Sequence, residues 1–109
     1  MERQDFKEMT KGWFVGDFEP SALKTDKAEV AVKRYKKDDF EEKHHHKVAT
    51  EITLIISGKV EMNNQCYQTN DIIIILPGES TNFKVLEDTI TVVVKVPCVK
   101  GDKYLGDAK

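Results

Sequence analysis

Hydrophobic positions in this chain fall into short alternating runs. Val30 and Val32 alternate with polar or small neighbours in residues 29–35, and Ile52, Leu54 and Ile56 share one parity in residues 51–57. Ile90, Val92, Val94 and Val96 do the same in residues 89–96. A period of two is the mark of a β-strand, because successive side chains point to opposite faces. No stretch carries a 3.6-residue apolar period, and only residues 2–9 leave room for a helical turn. Turn residues stand between the runs. Gly58 follows residues 51–57, and Asn63-Asn64 separates residues 59–62 from 65–68 with a pair that tolerates positive φ. Pro77-Gly78 closes the apolar run 71–76, and Glu87-Asp88 parts residues 81–86 from 89–96. With residues 13–18 and 43–48 added, the pattern predicts an all-β sandwich or barrel of about eight to ten short strands.

Composition supports this reading. Val 11, Ile 8 and Thr 8 stand against 5 Ala and 5 Leu, and β-branched side chains favour strands. A chain of 109 residues makes one domain with one core. The barrel is expected over residues 30–96, with residues 1–28 packing on it. Charges nearly cancel, 17 basic against 19 acidic for a net −2, which argues against a nucleic-acid partner or an anionic membrane surface. No apolar run reaches the ~18 residues of a membrane span. The polar first residues predict no signal peptide, and two cysteines, Cys66 and Cys98, are too few for a disulfide framework. The expectation is a cytoplasmic protein with reduced, inert thiols.

Candidate chemistry gathers in one place. His44, His45 and His46 are the only histidines. On a strand, His44 and His46 share a face, roughly 6.5–7 Å apart, while His45 points away to solvent. Glu51 lies five residues past His46, the wrong parity for a straight strand. It joins the histidines only if residues 47–50 bend. Such a set can hold a divalent ion, or it can move protons, since an imidazole titrates near neutral pH.

The spacing His44-x-His46-x4-Glu51-x6-Gly58 resembles the first motif of the cupin superfamily. Aligning the second cupin motif on Gly78 puts Asn70 at its first glycine, Leu76 at its proline, Thr81 at its histidine and Val85 at its asparagine. The likeness covers about residues 30–96 and lacks the third histidine. It implies a cupin-like jelly-roll β-barrel. It also implies His44, His46 and Glu51 as ligands of a divalent transition metal (Fe, Mn, Zn or Ni), with a small polar organic molecule, a sugar derivative among the candidates, in the barrel mouth. Cupins that work on nucleotide sugars, the dTDP-sugar epimerases and 3,4-ketoisomerases, need no metal. The resemblance therefore also allows a metal-free isomerase or epimerase with His44 or His46 as catalytic base. A non-catalytic binding domain is the third reading. Thr53, Thr81, Arg34 and Lys95 are the candidate pocket-lining residues.

If Glu51 faces the interior, then Ile52, Leu54 and Ile56 face outward. The run 71–76 is apolar on both faces. Such a stripe calls for a cover, and a homodimer is the expected one, with residues 13–18 the alternative cover within the chain.

Overall fold

A computed structural model describes residues 1–108. Eight strands carry the fold: β1 (Trp13–Val15), β2 (Glu29–Tyr35), β3 (Phe40–His45), β4 (Thr50–Met62), β5 (Gln65–Gln68), β6 (Ile72–Ile75), β7 (Ser80–Val96) and β8 (Tyr104–Leu105). Two short 3-10 turns, Phe6–Glu8 and Thr10–Gly12, precede them, the first capped by the Asp5 side chain. All named strand pairs are antiparallel.

The strands form two layers joined through β4 and β7. One layer runs β1-β2-β7-β4-β6, using residues 89–95 of β7 and residues 50–55 of β4. The other runs β8-β3-β7-β4-β5, using the first part of β7 and the last part of β4. This is a jelly-roll barrel, as the sequence pattern predicts, with differences in detail: β1 keeps only the first half of residues 13–18, β3 starts and ends three residues before the expected 43–48, and the tail adds β8. Residues 51–57 and 59–62 belong to one strand, and so do residues 81–86 and 89–96. The signals at Gly58 and Glu87-Asp88 lie opposite each other, Lys59 facing Glu87 and Ser57 facing Ile90, where the register shifts. They mark a shared bulge that bends both strands from one layer into the other. Gly58 has φ +108, and a Cβ there would lie 2.5 Å from the Asp88 carbonyl oxygen, so only glycine allows the strands this close. The Asn63-Asn64 pair does make the hairpin turn, with φ 48 and 66.

A compact apolar core lies between the two layers at one end of the barrel: Ile55, Val60, Met62, Ile75, Phe83 and Val85 are buried, with Tyr35, Tyr67 and Ile73 packed against them. Each such aliphatic side chain contributes roughly 1.5–3 kcal/mol by burial. The other end is different. There the inward positions are Glu51, Thr53, Thr91 and Lys95, while Ile52, Leu54 and Ile74 point outward. The stripe is not covered from within the chain by the aromatic N-terminal segment. β1 instead extends the sheet edge beside β2, with Trp13 opposite Ala31.

Candidate functional site

β3 ends at His45, so His46 lies in the bend that follows. That bend is the one Glu51 requires, and its cause is Asp102. Asp102 is buried, and its carboxylate accepts the backbone N–H groups of Lys47 at 2.8 Å, Ala49 at 2.9 Å and Val48 at 3.2 Å. Burial alone would push its carboxyl up, but those three donors hold it below the usual carboxylate range. The backbone carbonyl of Asp102 also accepts from Nδ1 of His46. One residue far along the chain thus fixes both the bend and a histidine ring.

The three histidines share a tautomeric state. Nδ1 of His44 donates to the Glu42 carbonyl at 2.9 Å, Nδ1 of His45 to the Gly106 carbonyl at 2.7 Å, and Nδ1 of His46 to Asp102. A carbonyl only accepts, so each Nδ1 carries a hydrogen and each Nε2 is left for other work. The expectation that His45 reaches solvent is corrected: it is 4% exposed. The short strand β8 covers it, and its ring stacks on Tyr104 at 5.5 Å.

His46 is 3% exposed, and its Nε2 lies 3.5 Å from Oε1 of Glu51. The contact is an ion pair without hydrogen-bond alignment, since Nε2 has no properly oriented partner. Two lone-pair atoms do not face each other in a buried site without a positive charge between them. The Glu51 carboxylate holds the His46 imidazole above its ordinary value, outweighing burial, and the Asp102 carbonyl adds to this. Burial would raise the Glu51 carboxyl, but His46 and the charge of Lys95 outweigh it and hold it below its ordinary value. The hydroxyl of Thr53 donates to Glu51 at 3.3 Å.

Glu51 and His44 open into a cavity of about 270 Å³ inside the barrel mouth, which Thr53, Thr81 and Lys95 also line. Thr81 stands directly opposite His44 on the neighbouring strand, and its hydroxyl donates to the Asn82 carbonyl at 2.7 Å. His46 lies behind Glu51, on the wall toward a second hollow beside Cys98 and Asp102. Arg34 is not in the cavity. With Val30 and Val32 outward, parity turns Arg34 outward too and sends Lys33 and Tyr35 inward. That parity was readable in the sequence. Trp13, Glu41 and Lys103 also line the cavity, and Asp102 has no sequence signal at all. Cys98 is buried, and burial pushes its thiol up, consistent with an inert residue.

No protein-family model matches the sequence, and no curated protein is significantly similar to it. Solved structures do match. A conserved protein with a double-stranded β-helix domain from Klebsiella pneumoniae subsp. pneumoniae MGH 78578 is 24% identical, with a TM-score of 0.70 over 80% of this chain and 76% of that one. A cupin-2 domain protein from Shewanella frigidimarina is 12% identical, with a TM-score of 0.57 over 66% of this chain and 72% of that one. The fold is the cupin fold. Oxalate decarboxylase from Bacillus subtilis, a protein with Mn(II) centres, is 15% identical, with a TM-score of 0.63 over 73% of this chain. This chain spans only 24% of that enzyme.

The donor chemistry suits a divalent ion: two Nε2 atoms and a carboxylate. Placement does not. Among the described residues, no three His, Cys, Asp or Glu side chains gather closely enough to hold one ion. The His44 and His46 rings are 5.5 Å apart and lie edge to face at 78°, and of these two histidines Glu51 pairs with His46. Among the described residues, no helix is long and apolar enough to cross a membrane.

Proposed function

We propose that this cupin binds a small polar organic molecule in the barrel mouth and moves a proton on it. Glu51 takes the proton from a carbon beside a carbonyl, and His44, on the same cavity, returns one that its Nε2 has first accepted from solvent, Glu51 giving its own back to solvent. His46 is a positioning residue that keeps Glu51 ionised and aimed. One observation carries the reading: the buried contact of 3.5 Å between His46 Nε2 and Glu51 Oε1, directly beside the cavity. A carboxylate held by an imidazolium that is itself anchored by a carbonyl is a proton acceptor with a fixed direction. Hydroxyls on the wall, Thr53 and Thr81, with the indole of Trp13, suit a sugar derivative. Of the two histidines the sequence offers as base, His44 lines the cavity and His46 does not, and in this reading the proton is taken by Glu51.

The test is solvent exchange. Candidate keto- and aldo-sugar derivatives are incubated in D2O with the protein and followed by proton NMR. Loss of an α-carbon proton that Glu51→Gln abolishes and His45→Gln leaves intact is the expected result. No exchange on any candidate, with binding intact, would reduce the protein to a binding domain. The metal reading, with His44, His46 and Glu51 as ligands, keeps one observation in its favour: the facing lone pairs of His46 and Glu51 would also accept a shared cation, as the Mn(II) centres of the oxalate decarboxylase neighbour suggest. Elemental analysis of protein purified without chelator decides it. Stoichiometric metal that disappears in His44→Ala and His46→Ala would replace the proton reading.

A further inference from the structure

We infer that the cavity receives the anionic group of its ligand, a carboxylate or phosphate, between the ammonium groups of Lys33 and Lys95 and against the indole of Trp13. This rests on the reading above that the cavity is a ligand site, and it names the class of ligand.

Charge distribution carries the inference. The whole chain is net −2, yet four lysines, Lys11, Lys33, Lys95 and Lys103, line this one cavity against two glutamates. Two glutamates offset at most two of the four positive charges, and each has a further partner of its own. Glu51 is committed to His46, and Glu41 accepts the Tyr35 hydroxyl at 3.3 Å. Lys33 donates to the Lys11 backbone carbonyl at 2.6 Å, which satisfies one proton and no charge. Lys95 finds Glu29 only at 3.8 Å. The two ammonium groups lie 5.0 and 5.1 Å from the centre of the Trp13 ring. A π-face attracts cations, but it carries no net charge and leaves their mutual repulsion standing.

That repulsion has a visible consequence. Burial pushes the Lys33 ammonium below its ordinary value, and Lys95, Lys11 and Lys103 add to the effect against the pull of Glu41. Holding like charges in a half-desolvated cleft is costly, and an anion bound between them removes the cost. A cavity of about 270 Å³ lies below the usual size of drug-sized sites. The ligand is therefore of monosaccharide scale, with its anionic group at the Lys33–Lys95 end and its reacting carbon toward Glu51.

Trp13 is the only tryptophan in the chain; it lines this cavity and the hollow beside Cys98, and Lys33, which lines only the first of the two, tells them apart. The experiment titrates the full chain, at constant ionic strength, with D-glucose, D-glucuronate and D-glucose 6-phosphate. Saturable change of Trp13 emission by a charged sugar, and none by glucose at the same concentration, is expected. Which anion responds distinguishes carboxylate from phosphate. Lys33→Met and Lys95→Met keep the aliphatic stems and should each weaken binding about tenfold, the worth of one charge-assisted hydrogen bond. Lys84→Met, on the outer surface, should not. Urea midpoints confirm that the variants fold. Glu51→Gln removes the proposed proton transfer and should bind the anion at least as well as wild type, so this inference and the proton reading fail separately. Glucose binding as tightly as the anions, no response to either anion, or wild-type affinity in both cavity lysine variants would overturn it.

Discussion

β4 and β7 serve two ends of the barrel with opposite rules. At the core end, Val60, Met62, Phe83 and Val85 point inward, and Lys59, Glu61 and Lys84 point out. At the site end, Glu51, Thr53, Thr91 and Lys95 point inward, and Ile52, Leu54, Val92 and Val94 point out. β7 keeps its odd positions inward throughout, whereas β4 switches from odd inward positions before the bulge at Gly58 to even ones after it, and across that bulge the inward set changes from largely polar to apolar. Period therefore tells where a strand is, and not which of its faces is the interior. The core end supplies the stability that lets the site end hold polar groups in its interior.

The contrast can be broken at several points. Ile55→Ala, at the core end, should cost about 2–5 kcal/mol in urea unfolding, the range for opening a cavity in a packed interior. Asp102→Ala should come next, at roughly 3 kcal/mol, because three backbone N–H groups lose a charged acceptor. Asp102→Asn, which keeps one oxygen, should recover part of it. If Asp102→Ala unfolds as wild type does, the bend is held by something else. On the outer face of the site end, Ile72 and Ile74 are 64% and 60% exposed. We propose that a second copy covers them. Their neighbours Ile52 and Leu54 extend the same flat face, these four positions carry no charge, and an identical sheet matches them in both respects. Light scattering should then show a dimer for wild type and a monomer for Ile74→Glu, since a charge is costly to bury. A monomeric wild type would end that proposal.

Smaller effects follow from the ion pair. The folded-state value of His46 lies above its ordinary 6.5, so its contribution is complete below pH 6.5 and is lost as pH rises through the raised value. The folded-state value of Glu51 lies below its ordinary 4.5, so its contribution is complete above pH 4.5 and is lost as pH falls through the lowered value. Both are present together between 4.5 and 6.5. Urea midpoints measured across pH should peak there, and Glu51→Gln should flatten the profile. The smallest effect expected is at Thr91, whose buried hydroxyl has no partner. Thr91→Val removes that hydroxyl at nearly constant volume and should be neutral or stabilising by about 1 kcal/mol. A clear loss of stability would mean that a water satisfies the group.

The fold was legible because alternation and turn residues are local properties. Glu29–Tyr35 and Gln65–Gln68 are strands with the bounds the pattern predicts. Bulges misled it, since Gly58 and Glu87-Asp88 look like chain reversals until their pairing across two strands is known. Within the site, the histidines and Glu51 were legible by type and spacing, and the required bend was legible as a demand. What makes the bend was not. Asp102 stands in a tail with the composition of surface chain, and its role depends on a contact across 55 positions. Burial of His45 was hidden for the same reason, because β8 covers it from the same tail.

That contact across 55 positions also sets an order of events. A ribosome extrudes His46 and Glu51 well before Asp102, so the bend between them lacks its acceptor until the segment that follows β7 arrives. The pocket is completed only when the downstream segment returns to it. Shortening the chain just before Asp102 would leave most of the ladder with its partners and take away the clasp. The acquisition of chemistry and the last increment of stability thus arrive together, with one downstream segment.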